Sequence, residues 1–394
     1  MKNNDAVIIS AVRTPIGDFG GAFRDLSAVQ LAVSVIQDAV RRAGVDGALV
    51  DDVIFGCCIQ IPDELTLGRL AALKAGLPFT VPGVTVQRNC ASGMQSVVYG
   101  AQQILLGDAS VIVAGGTESM STVPYFLKSA RWGQRLQHGV MRDGIWDSLT
   151  DALTGLIMGL TAENLAEKYR ISREEQDEIA FRSHHNAEAA TREGRFKAEI
   201  LPVSIPQRKG EPVVVDTDEH FRPGLTMEDL KRLKPAFKND GTVTAGNSSG
   251  INDGAAALVM MSASRARELG CKPMARIISY AAAAVEPEIM GYGPVPATRK
   301  ALQKAGLALS DIQLIECNEA FAAQYLACEK LLGWNRDIVN VNGSGIALGH
   351  PIGCTGARIL TTLLYEMQKR DLTVGLATLC VGGGMGMATI VERI

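Results

Sequence analysis

The chain has 394 residues, enough for two or three domains with a large hydrophobic core, which excludes a mini-protein that depends on disulfides or metals. With 47% hydrophobic and 21% charged residues, the composition is that of a globular protein and excludes a disordered or fibrous chain. The formal net charge of −3 gives no overall attraction to nucleic acid or to an anionic membrane, so we predict neither as a partner.

The first apolar segment is AVIIS, which follows Met1 and four polar residues. No basic region followed by a long apolar stretch precedes it, so we expect no signal peptide, and no apolar run reaches the ~18 residues of a membrane helix. We therefore predict a cytoplasmic protein. Glycine is abundant, with 41 residues, which indicates many tight turns or close backbone approaches, as at a ligand site.

Two stretches of the first half have counterparts in the second half. AVRRAGVDGALVDDVIFG predicts a helix end, a turn and a strand from Val53, and ALQKAGLALSDIQLIEC has the same layout about 260 positions later. NCASGMQSVVYGAQQILLGDASVIVAGG predicts a helix over 91–106 and a buried strand over 110–114, and GCTGARILTTLLYEMQKRDLTVGLATLCVGGG repeats this layout about 265 positions later. The matching order predicts a duplication, with two α/β halves packed face to face.

Residues 121–248 differ from both halves in being richer in charge and proline. SREEQDEIAFRSHHNAEAATREGRF predicts a solvated amphipathic helix capped by Ser172, and IPQRKGEPVVVDTDEHFRPG predicts irregular loop and an edge strand. We interpret 121–248 as an inserted loop domain. It would lie between an N-terminal half (1–120, resumed at 249–271) and a C-terminal half (272–394).

Eight cysteines without a CxxC pair or zinc-ligand spacing predict free thiols and no metal site. A buried packing role is the ordinary alternative for each of them. Cys90 lies between the apolar stretch VPGVTVQRN and the start of a predicted helix. A helix N-terminus or a histidine partner lowers a thiol pKa from about 8.5 to about 3.5–7.5, so Cys90 is a candidate nucleophile.

Three further residues could take part in chemistry. His350 lies in the apolar, glycine-rich stretch ALGHPIG and is either a structural histidine or a general base for a thiol. Cys380 ends the predicted strand VGLATLC, near the position of Ala114 in the duplication, and precedes a glycine run that is equally explained by a turn. Asn318 follows a strand in ECNEAFA and could hold a water or an oxyanion, or cap a helix.

Together the motifs NCASG, CNEAFA, GHPIG and CVGGGMG, in this order, resemble the thiolase family, and the likeness runs from AVRTPIGDFGG to the closing ATIVERI. The resemblance implies the thiolase fold, with two duplicated βαβαβαββ halves in a layered α-β-α-β-α core. It also implies an acyltransferase that catalyses a reversible Claisen condensation of short 3-ketoacyl-CoA. Acetyl-CoA, acyl-CoA and coenzyme A would be substrates, with no tightly bound cofactor.

The resemblance assigns roles to the motif residues. Cys90 would carry the acyl group, with His350 taking its proton, and Cys380 would be the acid and base for the α-carbon. His350 and a water held by Asn318 would stabilise the enolate. The backbone N–H groups of Cys90 and Gly382 would stabilise the tetrahedral adduct.

The resemblance also places coenzyme A. Arg222 would meet its nucleotide end. The other residues implied to line its path are Met158, Ala236, Phe237, Ala245, Ser249, Ile251, Ala320 and Phe321.

Three departures from the family pattern leave the acyl chain length open. Ile157 stands where short-chain biosynthetic members usually carry histidine, Ser344 lies in a GSG stretch that usually reads GGA, and Cys354 replaces a common alanine as a packing residue. Alternative functions are a broader-range 3-ketoacyl-CoA thiolase of fatty-acid β-oxidation, a ketoacyl synthase on carrier-protein thioesters, and a non-catalytic acyl-CoA-binding scaffold. The family resemblance implies a homodimer or a homotetramer, with RWGQRLQHGV as an arm between dimers.

Overall fold

The computed structural model describes residues 2–207 and 209–394, so Met1 of the predicted N-terminal segment and Arg208 of the predicted loop fall outside the described residues. The strands of the described residues are, in chain order, β1 (Ala6–Arg13), β2 (Gly17–Asp18), β3 (Asp52–Gly56), β4 (Gly83–Val86), β5 (Val111–Ser119), β6 (Tyr125–Phe126), β7 (Arg142–Asp143), β8 (Val203–Ile205), β9 (Val213–Val215), β10 (Asn252–Ser262), β11 (Ala275–Ala284), β12 (Leu314–Cys317), β13 (Val374–Val381) and β14 (Met385–Arg393).

The α-helices of the same residues are, in chain order, α1 (Ala28–Ala43), α2 (Leu67–Lys74), α3 (Ser92–Leu106), α4 (Gly144–Ser148), α5 (Met158–Tyr169), α6 (Arg173–Arg192), α7 (Met227–Lys231), α8 (Ala263–Glu268), α9 (Pro294–Ala305), α10 (Ala322–Leu332), α11 (Gly345–Leu348) and α12 (Ile352–Lys369). None of these helices is long and apolar enough to cross a bilayer.

Local sequence explains where the helices begin and end. Ser172 and Glu175 form a capping box at the start of α6, which confirms the predicted cap. This helix is only partly solvated, because one face, which includes Ile179 and Ala180, is buried. The predicted helix over 91–106 is confirmed as α3, which ends at Gly107 in the left-handed conformation, with a φ of 82°.

The main sheet of the described residues repeats one strand arrangement twice. Its order is β12-β13-β14-β11-β1-β10-β5-β3-β4, and β2 pairs with β10 at its margin. The pairs β3–β4, β3–β5 and β12–β13 are parallel, as predicted for α/β halves. Strands β1 and β11 join the halves through only two residue pairs, Val7 with Arg276 and Ile8 with Ala275. The sheet is therefore joined by few backbone pairs at this point, which allows the two halves to pack face to face.

Five layers result from this arrangement. Helices α3 and α12 pack together in the middle, in a cluster that includes Ile112 of β5 and Leu379 of β13. The opposite face of the first half is covered by α1 and α2, and that of the second half by α9, α10 and α5. The predicted α-β-α-β-α layering is confirmed.

The middle helices approach closely because they meet at small residues. A Cβ atom on Gly93 of α3 would lie 2.9 Å from the carbonyl oxygen of Gly353, and one on Gly356 of α12 would lie 2.4 Å from the backbone nitrogen of Met94. Only glycine permits this separation. The close crossing brings the N-termini of α3 and α12 together, and these follow Cys90 and His350 in the chain.

The second half departs from the first where a counterpart of β4 would lie. Only a single bridge, between Ile315 and Val339, is formed there. The side chain of Asn340, a residue with a positive φ of 50°, binds the edge of β12 instead. Its Oδ1 accepts from the Cys317 N–H at 2.8 Å and its Nδ2 donates to the Cys317 carbonyl at 2.8 Å. A side-chain amide thus replaces backbone pairing.

The duplication also fixes the register of Cys380. Strands β5 and β13 begin at Val111 and Val374, and counting from these residues aligns Cys380 with Thr117. The predicted alignment near Ala114 is therefore shifted by three residues, although the connection between helix and strand has four residues in both halves.

Residues 126–141 of the inserted segment form an exposed arm. Trp132 and Leu136 are 88% and 86% exposed, and Val140 is 74% exposed. Large apolar side chains at such exposure indicate an interaction surface.

The predicted loop and edge strand are confirmed as β8 and β9, which pair only with each other within the described residues.

Candidate active site

Cys90 lies on the tight turn that begins α3. Asn89 has a positive φ of 42°, and its carbonyl accepts from the Ser92 N–H at 3.0 Å. Burial raises the pKa of the Cys90 thiol, although the backbone N–H groups of Gly382 and of Cys90 itself lower it. The prediction of a lowered pKa is therefore wrong for the free protein, because loss of hydration outweighs the two N–H groups. Cys90 is a thiol here and needs a base.

The loop after β13 lies directly against this turn. Nδ2 of Asn89 donates to the carbonyl of Gly382 at 2.8 Å, and the Gly382 N–H acts on the sulfur of Cys90. If Gly382 had a Cβ atom, that atom would lie 3.5 Å from the sulfur of Met158. The structure thus brings Cys90, Gly382 and Met158 together from three separate segments.

Cys380 is buried near the end of β13, two residues before Gly382. Burial raises its pKa well above the usual range, and the charges of Cys90 and Cys328 raise it further. The hydrogen bond from Asn89 to the carbonyl of Gly382 holds the loop after β13 against the turn of Cys90, so both thiols lie within two residues of this contact. Both are protonated at neutral pH in the free protein.

His350 is buried in the loop between α11 and α12. Its backbone N–H donates to Oδ1 of Asn252 at 2.9 Å, and its Nδ1 lies 2.6 Å from Oγ1 of Thr355. Gly349 has a positive φ of 100°, and a Cβ atom there would lie 2.5 Å from the side chain of Asn252. Burial, with a smaller contribution from Arg358, lowers the pKa of His350 to about 3. The ring is neutral at pH 7 and can accept a proton.

Asn318 lies beside the ring of His350. Its Nδ2 is 3.4 Å from both ring nitrogens, a distance longer than an ordinary hydrogen bond. Its Oδ1 is buried with no hydrogen-bond partner among the described residues. A buried amide oxygen without a partner can accept a hydrogen bond from a water, as its predicted role requires.

Glu118, at the end of β5, links the segment around Cys58 to the segment around His350, and this residue was not predicted from the sequence. Its carboxylate accepts from the backbone N–H groups of Cys58, Ile59 and Gly353, at 2.9, 3.1 and 2.9 Å. It therefore ties the loop after β3 to the first turn of α12, two residues beyond Pro351 in the His350 loop. Ile352 of the same turn packs in one cluster with Cys58 and Cys90.

We expect Glu118 to give the protein a measurable pH dependence of stability. Burial raises the pKa of Glu118 to about 7 from an ordinary 4.5, so the native state holds this proton at pH values where the unfolded chain has lost it. The free energy of unfolding should therefore fall as the pH rises between these values. Relative to Glu118→Gln, which cannot titrate, the wild type should lose about 3 kcal/mol across this window in urea titrations. Parallel curves for the two proteins would contradict this assignment.

The residues predicted to contact coenzyme A lie on adjoining segments. Arg222 and Ala245 line one cleft, together with His184, His220 and Ile346. The rings of Phe237 and Phe321 meet edge to face with centroids 6.1 Å apart.

Backbone contacts connect the remaining predicted positions. The Ser249 N–H donates to the carbonyl of Ala320 at 2.9 Å, and the Ala236 N–H donates to the carbonyl of Val243 at 2.9 Å. Ile251 is 36% exposed, and its carbonyl accepts from the N–H of Phe19. These contacts place Ser249 beside Ala320 and Ala236 directly before Phe237, whereas Ile251 contacts the first segment of the chain.

Comparisons with known proteins identify the family of the chain. Residues 6–264 match the family model of the thiolase N-terminal domain and residues 271–393 match that of the thiolase C-terminal domain. An acetyl-CoA acetyltransferase of Pseudomonas aeruginosa is 52% identical, with 99% of each chain covered. The chain therefore belongs to the thiolase family.

Solved structures give the same result for the fold. A crystal structure of the Bacillus anthracis acetyl-CoA acetyltransferase has a TM-score of 0.98 and 55% identity, covering 99% of each chain. A human mitochondrial 3-ketoacyl-CoA thiolase in complex with CoA has a TM-score of 0.96 and 42% identity, covering 100% of this chain and 99% of the other. The predicted thiolase fold is confirmed.

The structure gives the surroundings of the three residues that depart from the family pattern. Ser344 is fully buried, and its Oγ lies 3.4 Å from Nη2 of Arg358, a guanidinium whose Nε and Nη1 have no hydrogen-bond partner among the described residues. Cys354 is buried between the halves, where it packs as predicted. Ile157 is half-buried and directly precedes Met158 at the start of α5.

Proposed function

We propose that the chain is an acetyl-CoA C-acetyltransferase that condenses and cleaves short 3-ketoacyl-CoA reversibly through an acyl-Cys90 intermediate. The observation that carries this proposal is the contact between the turn of Cys90 and the loop of Gly382, which joins Cys90 to the segment of Cys380 from the opposite half of the duplication. The acetyl-CoA acetyltransferases named above support the same activity over nearly the full chain.

The first half-reaction transfers the acyl group to the enzyme. The Cys90 sulfur attacks the thioester carbonyl, its S–H bond breaks, and the proton passes to the neutral ring of His350 and then to the departing CoA sulfur. The backbone N–H groups of Cys90 and Gly382 both act to lower the pKa of this thiol, which supports a role for them in stabilising negative charge beside the sulfur. We assign them to the oxyanion hole of the tetrahedral adduct.

The second half-reaction forms a carbon–carbon bond. The Cys380 thiol passes its proton to the neutral ring of His350, and the resulting thiolate removes a proton from the α-carbon of acetyl-CoA. The carbanion attacks the acyl group on Cys90, and the Cys90 sulfur leaves as a thiol by taking the proton from His350. His350, with a water held by Asn318, stabilises the enolate oxygen, and the unpartnered Oδ1 of Asn318 supports this role. Two anions form in turn, and the site offers separate donors for each.

We place coenzyme A along the contacts of the inserted segment. Arg222 is exposed at the cleft that contains Ala245 and can meet phosphate charge. The pantetheine would pass Phe237, Phe321 and Met158 to reach Cys90. The human 3-ketoacyl-CoA thiolase crystallised with CoA supports this ligand class.

Broader-range 3-ketoacyl-CoA thiolase activity, as in β-oxidation, is the second candidate, and Ile157 favours it. This half-buried isoleucine makes the wall beside Met158 more apolar than the histidine of short-chain members would. A ketoacyl synthase fits less well, because Cys380 stands where those enzymes carry a second histidine. A silent scaffold fits less well because every catalytic motif residue is present.

Chain-length preference should respond to Ile157. We expect thiolysis of acetoacetyl-, 3-ketohexanoyl- and 3-ketodecanoyl-CoA to be fastest for the shortest substrate. Ile157→His should lower kcat/KM for the ten-carbon substrate about tenfold more than for acetoacetyl-CoA, since it places a polar ring against the acyl chain. An unchanged ratio of the two kcat/KM values would show that Ile157 does not contact the acyl chain.

The same assays separate the other candidate functions. Faster turnover with acyl carrier protein than with CoA would favour the synthase, and no thiolysis of any substrate would favour the scaffold.

We further propose a cytoplasmic homo-oligomer that acts in fatty-acid metabolism. Strand β4 ends the sheet, and Val84 on it lies with Tyr99 and Leu106 on an exposed apolar face, which supports a dimer through this edge. The exposed arm at 126–141 supports a tetramer. We retain the division into halves 1–120 with 249–271 and 272–394, separated by the insert 121–248, as part of the proposal.

A further inference from the structure

Thr355 makes the shortest polar contact of the His350 ring. Its Oγ1 lies 2.6 Å from Nδ1 of the ring and 2.9 Å from the carbonyl oxygen of Pro351. The amide nitrogen of Asn318, in contrast, is 3.4 Å from each ring nitrogen. Thr355 is fully buried, so water does not compete for its hydroxyl. Among the described residues, this hydroxyl is therefore the main hydrogen-bond partner of the ring.

A hydroxyl in this position suits a histidine that changes protonation. It has one proton to donate and can also accept, whereas the carbonyl of Pro351 can only accept. When the neutral ring carries its proton on Nδ1, the hydroxyl accepts from Nδ1–H and donates its own proton to the carbonyl of Pro351. Nε2 then has a free lone pair that can take the proton of Cys90. The contact through Nδ1 is the same before and after Nε2 is protonated.

We propose that Thr355 is a positioning residue that holds the His350 ring through Nδ1 and leaves Nε2 to exchange the proton of Cys90. This inference rests on the proposed function, in which the S–H bond of Cys90 breaks as an N–H bond forms on His350. The proton then passes to the departing CoA sulfur, so that the ring returns to its neutral state. Thr355 gains and loses no proton in this sequence and does not touch the substrate.

The surroundings of the ring make this contact important. Burial and, to a smaller extent, the charge of Arg358 lower the pKa of His350 to about 3, so a protonated ring is costly at this position. Asn252 fixes only the backbone of His350, through a hydrogen bond of 2.9 Å. The Thr355 hydroxyl is the group placed to accept from Nδ1–H when the ring carries both protons.

The test compares three variants of the full-length protein. Thr355→Val keeps the side-chain shape without the hydroxyl, and Thr355→Ser keeps the hydroxyl. Thr361→Val is the matched control, because Thr361 is also fully buried on α12 and donates to the carbonyl of Ala357 at 2.9 Å, in the same way that Thr355 donates to Pro351. The measured quantities are kcat and KM for acetyl-CoA and the melting temperature.

Thr355→Val should lower kcat about 10- to 100-fold, as expected for a hydrogen bond to a charged group, with little change in KM. Thr355→Ser should restore most of the rate, and Thr361→Val should keep the wild-type kcat. If Thr355→Val does not fold, Thr355→Ala takes its place with the same expected loss.

A wild-type kcat in Thr355→Val, or an equal loss in Thr355→Ser, would overturn the inference. An equal loss in Thr361→Val would overturn it as well, since the effect would then come from the helix. If the wild type itself takes no acetyl group from acetyl-CoA, the proposed function fails instead. The two failures are therefore distinguishable.

Discussion

Cys90→Ser should lower thiolysis of acetoacetyl-CoA by about 10⁴-fold or more, because it removes the atom that bonds to the acyl group. The wild-type thiol is already hard to ionise, since burial raises its pKa. A serine hydroxyl is harder still to deprotonate, so neutral His350 cannot activate it to a comparable degree. The loss should appear in kcat, while binding of CoA stays near the wild-type value.

Cys271→Ser is the matched control for this experiment. Cys271 is another half-buried thiol, whose sulfur lies 3.7 Å from the carbonyl of Ala43 in the outer layer of the first half. Its replacement should leave the rate unchanged. If Cys90→Ser retained more than about a hundredth of the wild-type kcat, a group other than Cys90 would carry the acyl chain.

Cys380→Ser should separate the two half-reactions. We expect the variant to accept an acetyl group from acetyl-CoA at a rate close to the wild type, because Cys90, His350 and Gly382 are unchanged. Condensation should fall about 10²- to 10⁴-fold, the usual contribution of a general acid or base. Exchange of the α-protons of acetyl-CoA with deuterated water, followed by mass spectrometry, measures the lost step directly.

Two results would contradict the role of Cys380. One is deuterium exchange at the wild-type rate in Cys380→Ser, which would assign the α-proton to another base. The other is loss of acetylation together with exchange, which would place Cys380 in the first half-reaction. Cys328→Ala is a suitable control, because Cys328 is also a fully buried thiol, and its sulfur donates to the carbonyl of Gly291 at 3.4 Å.

The duplication was the part of the fold that the sequence predicted best. Helix α3 and strand β5 follow one another with the same spacing as α12 and β13, and each pair carries the same apolar pattern and glycine turn. The replacement of a second β4 by Asn340 could not be predicted in this way. It depends on a side-chain amide meeting the edge of β12, and a strand-like sequence around Val339 does not reveal that contact.

The site residues were recognised through their motifs, but their environments were not. The motif placed Cys90 at a helix N-terminus, which predicts a lowered pKa, yet burial by segments distant in sequence has the larger effect. Glu118 and Thr355 gave no signal, since one appeared as the end of a buried strand and the other as an ordinary helix residue. Asn89 precedes Cys90 and has a left-handed backbone. Asparagine adopts this conformation more readily than most residues, so its presence in NCASG was the signal for a tight turn that sequence reasoning missed.

The most direct test of the account is to locate the acetyl group after the wild-type protein is mixed with isotope-labelled acetyl-CoA. Rapid acid quenching preserves the thioester, and mass spectrometry of the peptides identifies the labelled residue. The account predicts label on the peptide that contains Cys90, and its absence in Cys90→Ser. Label on the peptide that contains Cys380, or no label on the wild type, would contradict it.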